Sequence, residues 1–173
     1  MLAAGETGKL IAQFGDKTLA QPAAAADLKV ALAGAHAAQG NADQARAALA
    51  AALRSVPTHT GAIVLRARLD AAEGDPALAL RQLDEVLARE PGHAEAALVK
   101  GQIQLHFSKE PDAALATLRQ VRNAHPKSVA TLTAVLGILM QQNKRVQART
   151  EFEQMLKAAP RQKTYPPNPG SNR

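Results

Sequence analysis

Apolar positions recur along this chain at two rhythms, one nested in the other. In "PALALRQLDEVLARE" (Pro76–Glu90), Ala79, Leu83, Val86 and Leu87 fall at i, i+4, i+7 and i+8. That is the apolar stripe of a helix buried along one side. The preceding stretch, Thr60–Glu73, reads as a second helix, and Gly74 and Asp75 form the turn between them. Pro76 suits a first helical position, where the missing N–H costs nothing. Pro91 ends the pair, because proline cannot continue the hydrogen-bond ladder and disfavours helix in the residue before it.

The slower rhythm repeats this pair. Pro57, Pro91, Pro126 and Pro160 stand 34, 35 and 34 residues apart, and Ala45, Ala79, Ala114 and Ala148 keep the same intervals. Leu49, Leu83, Leu118 and Phe152 follow in phase, as do Ala52, Val86, Val121 and Met155. Gly40, Gly74 and Asn143 occupy the turn, where His106–Asp112 carries one extra residue. Such a period predicts stacked supersecondary units. The units are 26–59, 60–93, 94–128 and 129–162. Residues 1–25 hold an incomplete repeat, in which the Leu10, Ile11, Phe14 and Leu19 stripe of Glu6–Pro22 reads as a lone second helix. Residues 163–173, rich in Pro, Gly and Asn, read as a disordered tail. Phe152, Met155 and Leu156 lie on the last helix with no following partner, whereas repeat arrays normally end in a polar cap. The expectation is a segment of a longer solenoid.

Composition supports the all-helical reading. The chain is 46% hydrophobic yet 2% aromatic, and 39 of its 173 residues are alanine, the best helix former. Without cysteine there are no disulfides, thiolate nucleophiles or Cys-based zinc sites. No apolar run reaches the length of a membrane span, and the first residues show no signal or lipid-attachment motif. The net charge of +6 is concentrated: Met140–Arg173 holds seven Lys/Arg against two Asp/Glu. Lys144, Arg145, Arg149, Lys157, Arg161 and Lys163 form that basic cluster, chiefly a solvated helix face that an anionic polymer could also touch.

Candidate chemistry is sparse. His59 and His93 hold the same place in consecutive units, the last position before a first helix, and His125 lies beside the equivalent turn. A metal needs ligands about 2 Å away, which turns one repeat apart do not supply. They read as structural turn residues, while His36 and His106 fall within first helices. Asp84 and Glu85 do not share a helix face, nor do Glu151 and Glu153, so no paired-acid arrangement is implied. Ser55, Ser108 and Ser128 sit at helix ends, where capping is the plain reading. No catalytic residue, cofactor or metal ligand is expected, and no enzyme.

The period, the small residue at Ala45, Ala79, Ala114 and Ala148, and the closing prolines resemble the tetratricopeptide repeat (TPR) family. The first-helix small residue of that family matches Ala33, Ala67 and Gly101, but the fourth unit has Leu136 with Gly137 beside it. The family's usual aromatic residues are almost absent. The resemblance implies an all-α TPR helical-repeat solenoid, a right-handed superhelix of antiparallel helix pairs whose concave wall is lined by first helices. Carried over residue by residue, the partner-binding groove falls at Val30, Val64, Arg68, Leu98, Gln102, Leu105, Thr133 and Met140.

Such a groove suits a protein or peptide segment, extended or helical. The Lys/Asn/Arg set that clamps a C-terminal carboxylate in some TPR co-chaperones is missing from these positions. Pentatricopeptide RNA readers, also built on helical repeats of about 35 residues, need cationic or stacking side chains on the inner wall, and Arg68 alone is cationic there. Nucleic acid and small-molecule substrates are therefore not expected. The alternatives kept open are a spacer or multimerising segment, self-association through open solenoid ends, and anionic-polymer binding through the basic face.

In texture, Leu65–Leu98 and "IAQFGDKTLAQP" (Ile11–Pro22) are similar to the TPR proteins of bacterial exosortase (PEP-CTERM) and exopolysaccharide systems. That implies a bacterial scaffold in the periplasm or cell envelope, the alternative being the cytoplasm.

Overall fold

The structure is a computed structural model that describes residues 4–14 and 21–158. Among these residues it is built of helices alone: α1 (Ala4–Phe14), α2 (Pro22–Ala38), α3 (Ala42–Ser55), α4 (Thr60–Ala72), α5 (Pro76–Arg89), α6 (Ala94–His106), α7 (Pro111–Ala124), α8 (Val129–Gln141) and α9 (Arg145–Ala158). Consecutive helices pack as antiparallel neighbours, giving the pairs α2/α3, α4/α5, α6/α7 and α8/α9 behind α1. This is an all-α helical-repeat solenoid of the tetratricopeptide type.

The predicted boundaries at residues 60, 94 and 129 coincide with the starts of α4, α6 and α8. The one drawn between 25 and 26 falls inside a helix instead. Pro22 opens α2 as its first residue, and the alanines after it propagate the helix without side-chain entropy loss. The lone leading helix ends at Phe14; Leu19, Arg161 and the tail 163–173 lie outside the described residues.

The turns follow one geometry. Gly40, Gly74, Lys109 and Asn143 all take left-handed backbone, at φ 77°, 102°, 59° and 58°. Glycine does so freely, whereas the lysine in the longer third turn pays steric strain. The connections between pairs are also uniform. His59 Nδ1 accepts the Ala62 amide at 3.2 Å, His93 Nδ1 accepts the Ala96 amide at 3.1 Å, and Ser128 Oγ accepts the Thr131 amide at 3.3 Å. Each side chain thereby satisfies a donor that a helix start leaves orphaned. These histidines are helix caps. His59 Nε2 also reaches Asp27 Oδ1 of α2 at 2.9 Å, and His125 Nε2 reaches the Gly92 carbonyl of the preceding turn at 2.6 Å.

The core is a chain of clusters, one per repeat junction. Leu49, Leu83 and Leu118 are 0–2% exposed, and Ala45, Ala79 and Ala114 are fully buried beside them. A methyl group on Gly101 would lie only 3.1 Å from Leu118 Cγ, so glycine there permits the close crossing of α6 and α7.

Contacts beyond neighbours define the curvature. The first helices touch across repeats (α2 with α4, α4 with α6, α6 with α8), whereas the backbones of the second helices α3, α5, α7 and α9 stay further apart, α7 and α9 meeting through the side chains of Arg119, Arg122 and Glu151. The first helices therefore form the inner, shorter-radius wall.

Candidate concave cleft

The inner wall opens most clearly between α6 and α8. There Leu98, Gly101, Gln102, Leu105 and His106 of α6 face Ala134, Gly137 and Ile138 of α8 around a cleft of about 240 Å³, with Leu118 at its floor. Leu98, Leu105 and Ala134 are partly buried against the cluster formed by α7, α8 and α9. They thus present one side to solvent and anchor the other. A methyl group at Gly137 would meet nothing within 4 Å, so the missing side chain leaves that space open.

Three of the eight groove residues read from the sequence, Leu98, Gln102 and Leu105, meet in this cleft. Val30 is half-buried on α2 against the first cluster. Val64 is 1% exposed and packs with Ala67, Val86 and Val99, so it belongs to the core and offers no surface to a partner. Val86 of α5 and Val99 and Ile103 of α6 share that cluster. Arg68 stays exposed and its Nη2 stands 3.6 Å from Glu95 Oε1 across the α4/α6 boundary. Thr133 is exposed and turns its hydroxyl back to the Val129 carbonyl at 2.9 Å. Met140 is exposed near the open end of the array.

The sequence reading left Ala134 and Ile138 out of the groove, while His106 was read as a first-helix residue that is partly buried or lines the groove. The signal was available: Ala134 and Ile138 lie one and two positions from the assigned Thr133 and Met140, and a groove-facing stripe is wider than one residue per turn.

Polar groups near the cleft are mostly spoken for. Gln104, one residue from Ile103 on α6, receives the Thr117 hydroxyl at 2.9 Å inside the third repeat. The corresponding place in the second repeat holds Asp70, which accepts Gln82 Nε2 at 2.8 Å and Arg46 Nη1 at 2.8 Å. Arg46 also grips Glu73 through Nε at 2.9 Å, and these two acids raise its pKa, Glu73 first. These contacts join α3, α4 and α5.

Among the described residues no three His, Asp or Glu side chains gather as a metal site, and no helix is long and apolar enough to cross a membrane. The basic cluster is partly neutralised: Lys144 pairs with Asp112 at 3.2 Å and Arg149 with Glu153 at 2.8 Å. Glu151, buried on α9, takes both Arg119, at 2.9 Å, and Arg122.

The cleft can therefore hold apolar matter and offers little chemistry. Its volume lies below the roughly 300–1,000 Å³ typical of cofactor and drug-sized sites. One or two aliphatic side chains fill it. Two buried leucines contribute about 3–6 kcal/mol before ordering costs, short of the roughly 8 kcal/mol of a micromolar complex. Contacts further along the inner wall must supply the rest.

Residues 70–136 match the tetratricopeptide repeat family model. Among proteins of curated function, none matches the sequence. Solved structures of MamA share the fold. A crystal structure of MamA superposes with a TM-score of 0.61 at 13% identity, over 89% of this chain and 85% of that one. The MamA RS-1 ArsTM double mutant gives 0.61 at 16% identity over 90% and 96%. MamA AMB-1 gives 0.58 at 15% over 90% and 91%.

Proposed function

We propose that the protein is a non-enzymatic interaction scaffold that holds a segment of a partner protein, as a peptide or amphipathic helix, along the concave wall of its solenoid. The observation that carries this reading is the α6/α8 cleft. Leu98, Leu105 and Ala134 stand half-exposed on a wall made rigid by packing behind them, and Gly137 leaves room between the helices. A rigid wall pays little ordering cost when a partner docks. Specificity then comes from the spacing of the partner's apolar side chains and from polar handles such as Arg68 and Gln102.

The setting we propose is a bacterial envelope or exopolysaccharide assembly. It rests on sequence texture alone, and fractionation of the producing cell tests it. Recovery of the protein only from cytoplasm would remove that part of the proposal.

The binding claim is tested by affinity capture with wild type, the Leu98→Glu/Leu105→Glu double variant, and Val146→Glu on α9 as a surface control. Circular dichroism confirms that each folds. A partner held by wild type and by Val146→Glu but lost with the double variant is the expected result. Equal capture by all three overturns the groove reading.

A further inference from the structure

The first helices α4, α6 and α8 begin on side-chain caps, and in two of them the cap is an imidazole. His59 Nδ1 accepts the Ala62 amide at 3.2 Å, and His93 Nδ1 accepts the Ala96 amide at 3.1 Å. At α8 the acceptor is Ser128 Oγ, 3.3 Å from the Thr131 amide. An amide N–H only donates, so both rings must be bare at Nδ1 and carry their hydrogen on Nε2. A proton added at Nδ1 turns this acceptor into a second donor and orphans the helix amide that faced it. It also sets a positive charge against the positive end of the helix dipole. A serine hydroxyl undergoes no such change.

The surroundings of the two rings differ. The His59 side chain is 16% exposed, and its Nε2 lies 2.9 Å from Asp27 Oδ1 of α2. Lys29 of the same helix is directed elsewhere, its Nζ standing 3.4 Å from the Ala51 carbonyl and 3.4 Å from Ser55 Oγ. A protonated His59 would thus keep Asp27 as a charge partner, which offsets the lost cap.

His93 has no such compensation from the preceding first helix, because one repeat on from Asp27 the chain has Gly61. The acids around its junction are engaged with other groups. Glu90 Oε1 accepts the Thr60 hydroxyl at 2.7 Å, and Glu95 Oε1 stands 3.6 Å from Arg68 Nη2 of α4. From the following turn, His125 Nε2 reaches the Gly92 carbonyl at 2.6 Å, where it donates, so that contact survives protonation. Lys127 and Ala94, the first residue of α6, line one cavity of about 480 Å³, which brings further positive charge to that helix start.

We propose that His93 makes the concave wall acid-sensitive: its protonation uncaps α6 and loosens the junction between the second and third helix pairs, while α8 keeps its start. Because the folded chain favours the neutral ring, it binds fewer protons than the unfolded chain. Stability then falls as the pH drops through about 8 to 5, where imidazoles titrate. Since α6 carries Leu98, Gln102 and Leu105, acid also weakens the hold on a partner in the cleft. That consequence rests on the scaffold reading, whereas the cap does not.

Nuclear magnetic resonance on the whole chain tests the cap without a partner. Long-range proton–nitrogen spectra at pH 8 should show His59 and His93 as the Nε2–H tautomer. Amide exchange, corrected for its intrinsic pH dependence, should show protection at Ala96 falling about tenfold between about pH 8 and pH 5, as for loss of a helix cap. Ala62 should lose less, and Thr131 should not change. His93→Ser should hold Ala96 protection level across the range, and Ser128→His should make Thr131 acid-sensitive. Leu98→Glu/Leu105→Glu should keep the wild-type profile, so the pH response and partner binding can fail separately. An Nδ1–H tautomer at His93 overturns the proposal. So does a wild-type Ala96 amide that keeps its protection at acid pH, an equal loss at Thr131, or a loss that persists in His93→Ser.

Discussion

Two glycines in neighbouring first helices test the packing account sharply. Gly101 and Gly137 both lie inside helices, where alanine is favoured over glycine by about 0.5–1 kcal/mol. Their surroundings differ. A methyl group at Gly137 meets open space, so Gly137→Ala should keep the whole gain and raise the melting midpoint by about 1–4 °C. A methyl at Gly101 would sit 3.1, 3.3 and 3.4 Å from three carbons of Leu118, which is 2% exposed and cannot retreat without disturbing Val135 and Leu139. Overpacking of that sort costs about 1–3 kcal/mol, which outweighs the propensity gain and leaves Gly101→Ala destabilised by roughly 0.5–2 kcal/mol. Circular dichroism melts of both variants beside wild type decide it. Equal stabilisation by the two substitutions would refute the close α6/α7 crossing. Gly137→Ala should also bind partner more weakly, because its methyl enters the cleft.

Four further outcomes follow from contacts already described. Asp70→Ala removes the acceptor of both Gln82 and Arg46, and should cost about 1–3 kcal/mol in urea unfolding; a neutral result would mean the network adds nothing. His93→Ala deletes the cap of α6 and should cost about 1 kcal/mol, while His93→Ser, which can still cap, should recover most of it. Lys109→Gly relieves left-handed backbone and should stabilise by about 0.5–1 kcal/mol, read as an upward shift of the melting midpoint. The Asp112 carboxyl is held below its ordinary value of 3.8 by hydrogen bonds from Gln142 and Lys144 and by the Lys144 charge. A depressed carboxyl contributes stability that is present above the unfolded value and lost as pH falls through the folded one. Wild type should therefore exceed Asp112→Asn in stability at pH 6, with the gap closing below about pH 4.

Much of the architecture was legible because it is written in period as well as pattern. The proline spacing placed three of the pair boundaries at the observed helix starts, since proline acts on the local backbone whatever the tertiary context. His59 and His93 could be read as turn residues from their phase, although their capping role needed the distances to Ala62 and Ala96. The start of α2 at Pro22 was missed because alanine-rich sequence carries no amphipathic edge to mark where a helix begins. Groove membership was less legible. Leu98, Gln102 and Leu105 meet at the cleft, but Val64 sank into the core, because exposure depends on how tightly the next repeat closes. The Arg46–Asp70–Gln82 network was invisible for the same reason: it joins three helices through side chains 12 to 24 residues apart with no repeated motif.

The most direct test of the concave-groove claim is site-specific photo-crosslinking in the producing cell. A benzophenone amino acid replaces Gln102 in the cleft, and, in a separate strain, Glu85 on the exposed side of α5. The account predicts a discrete adduct from position 102 whose crosslinked peptide maps to an apolar or amphipathic segment of one protein, with none from position 85. Adducts of equal yield from both positions, or none from position 102 in cells where the protein is abundant and folded, would contradict it.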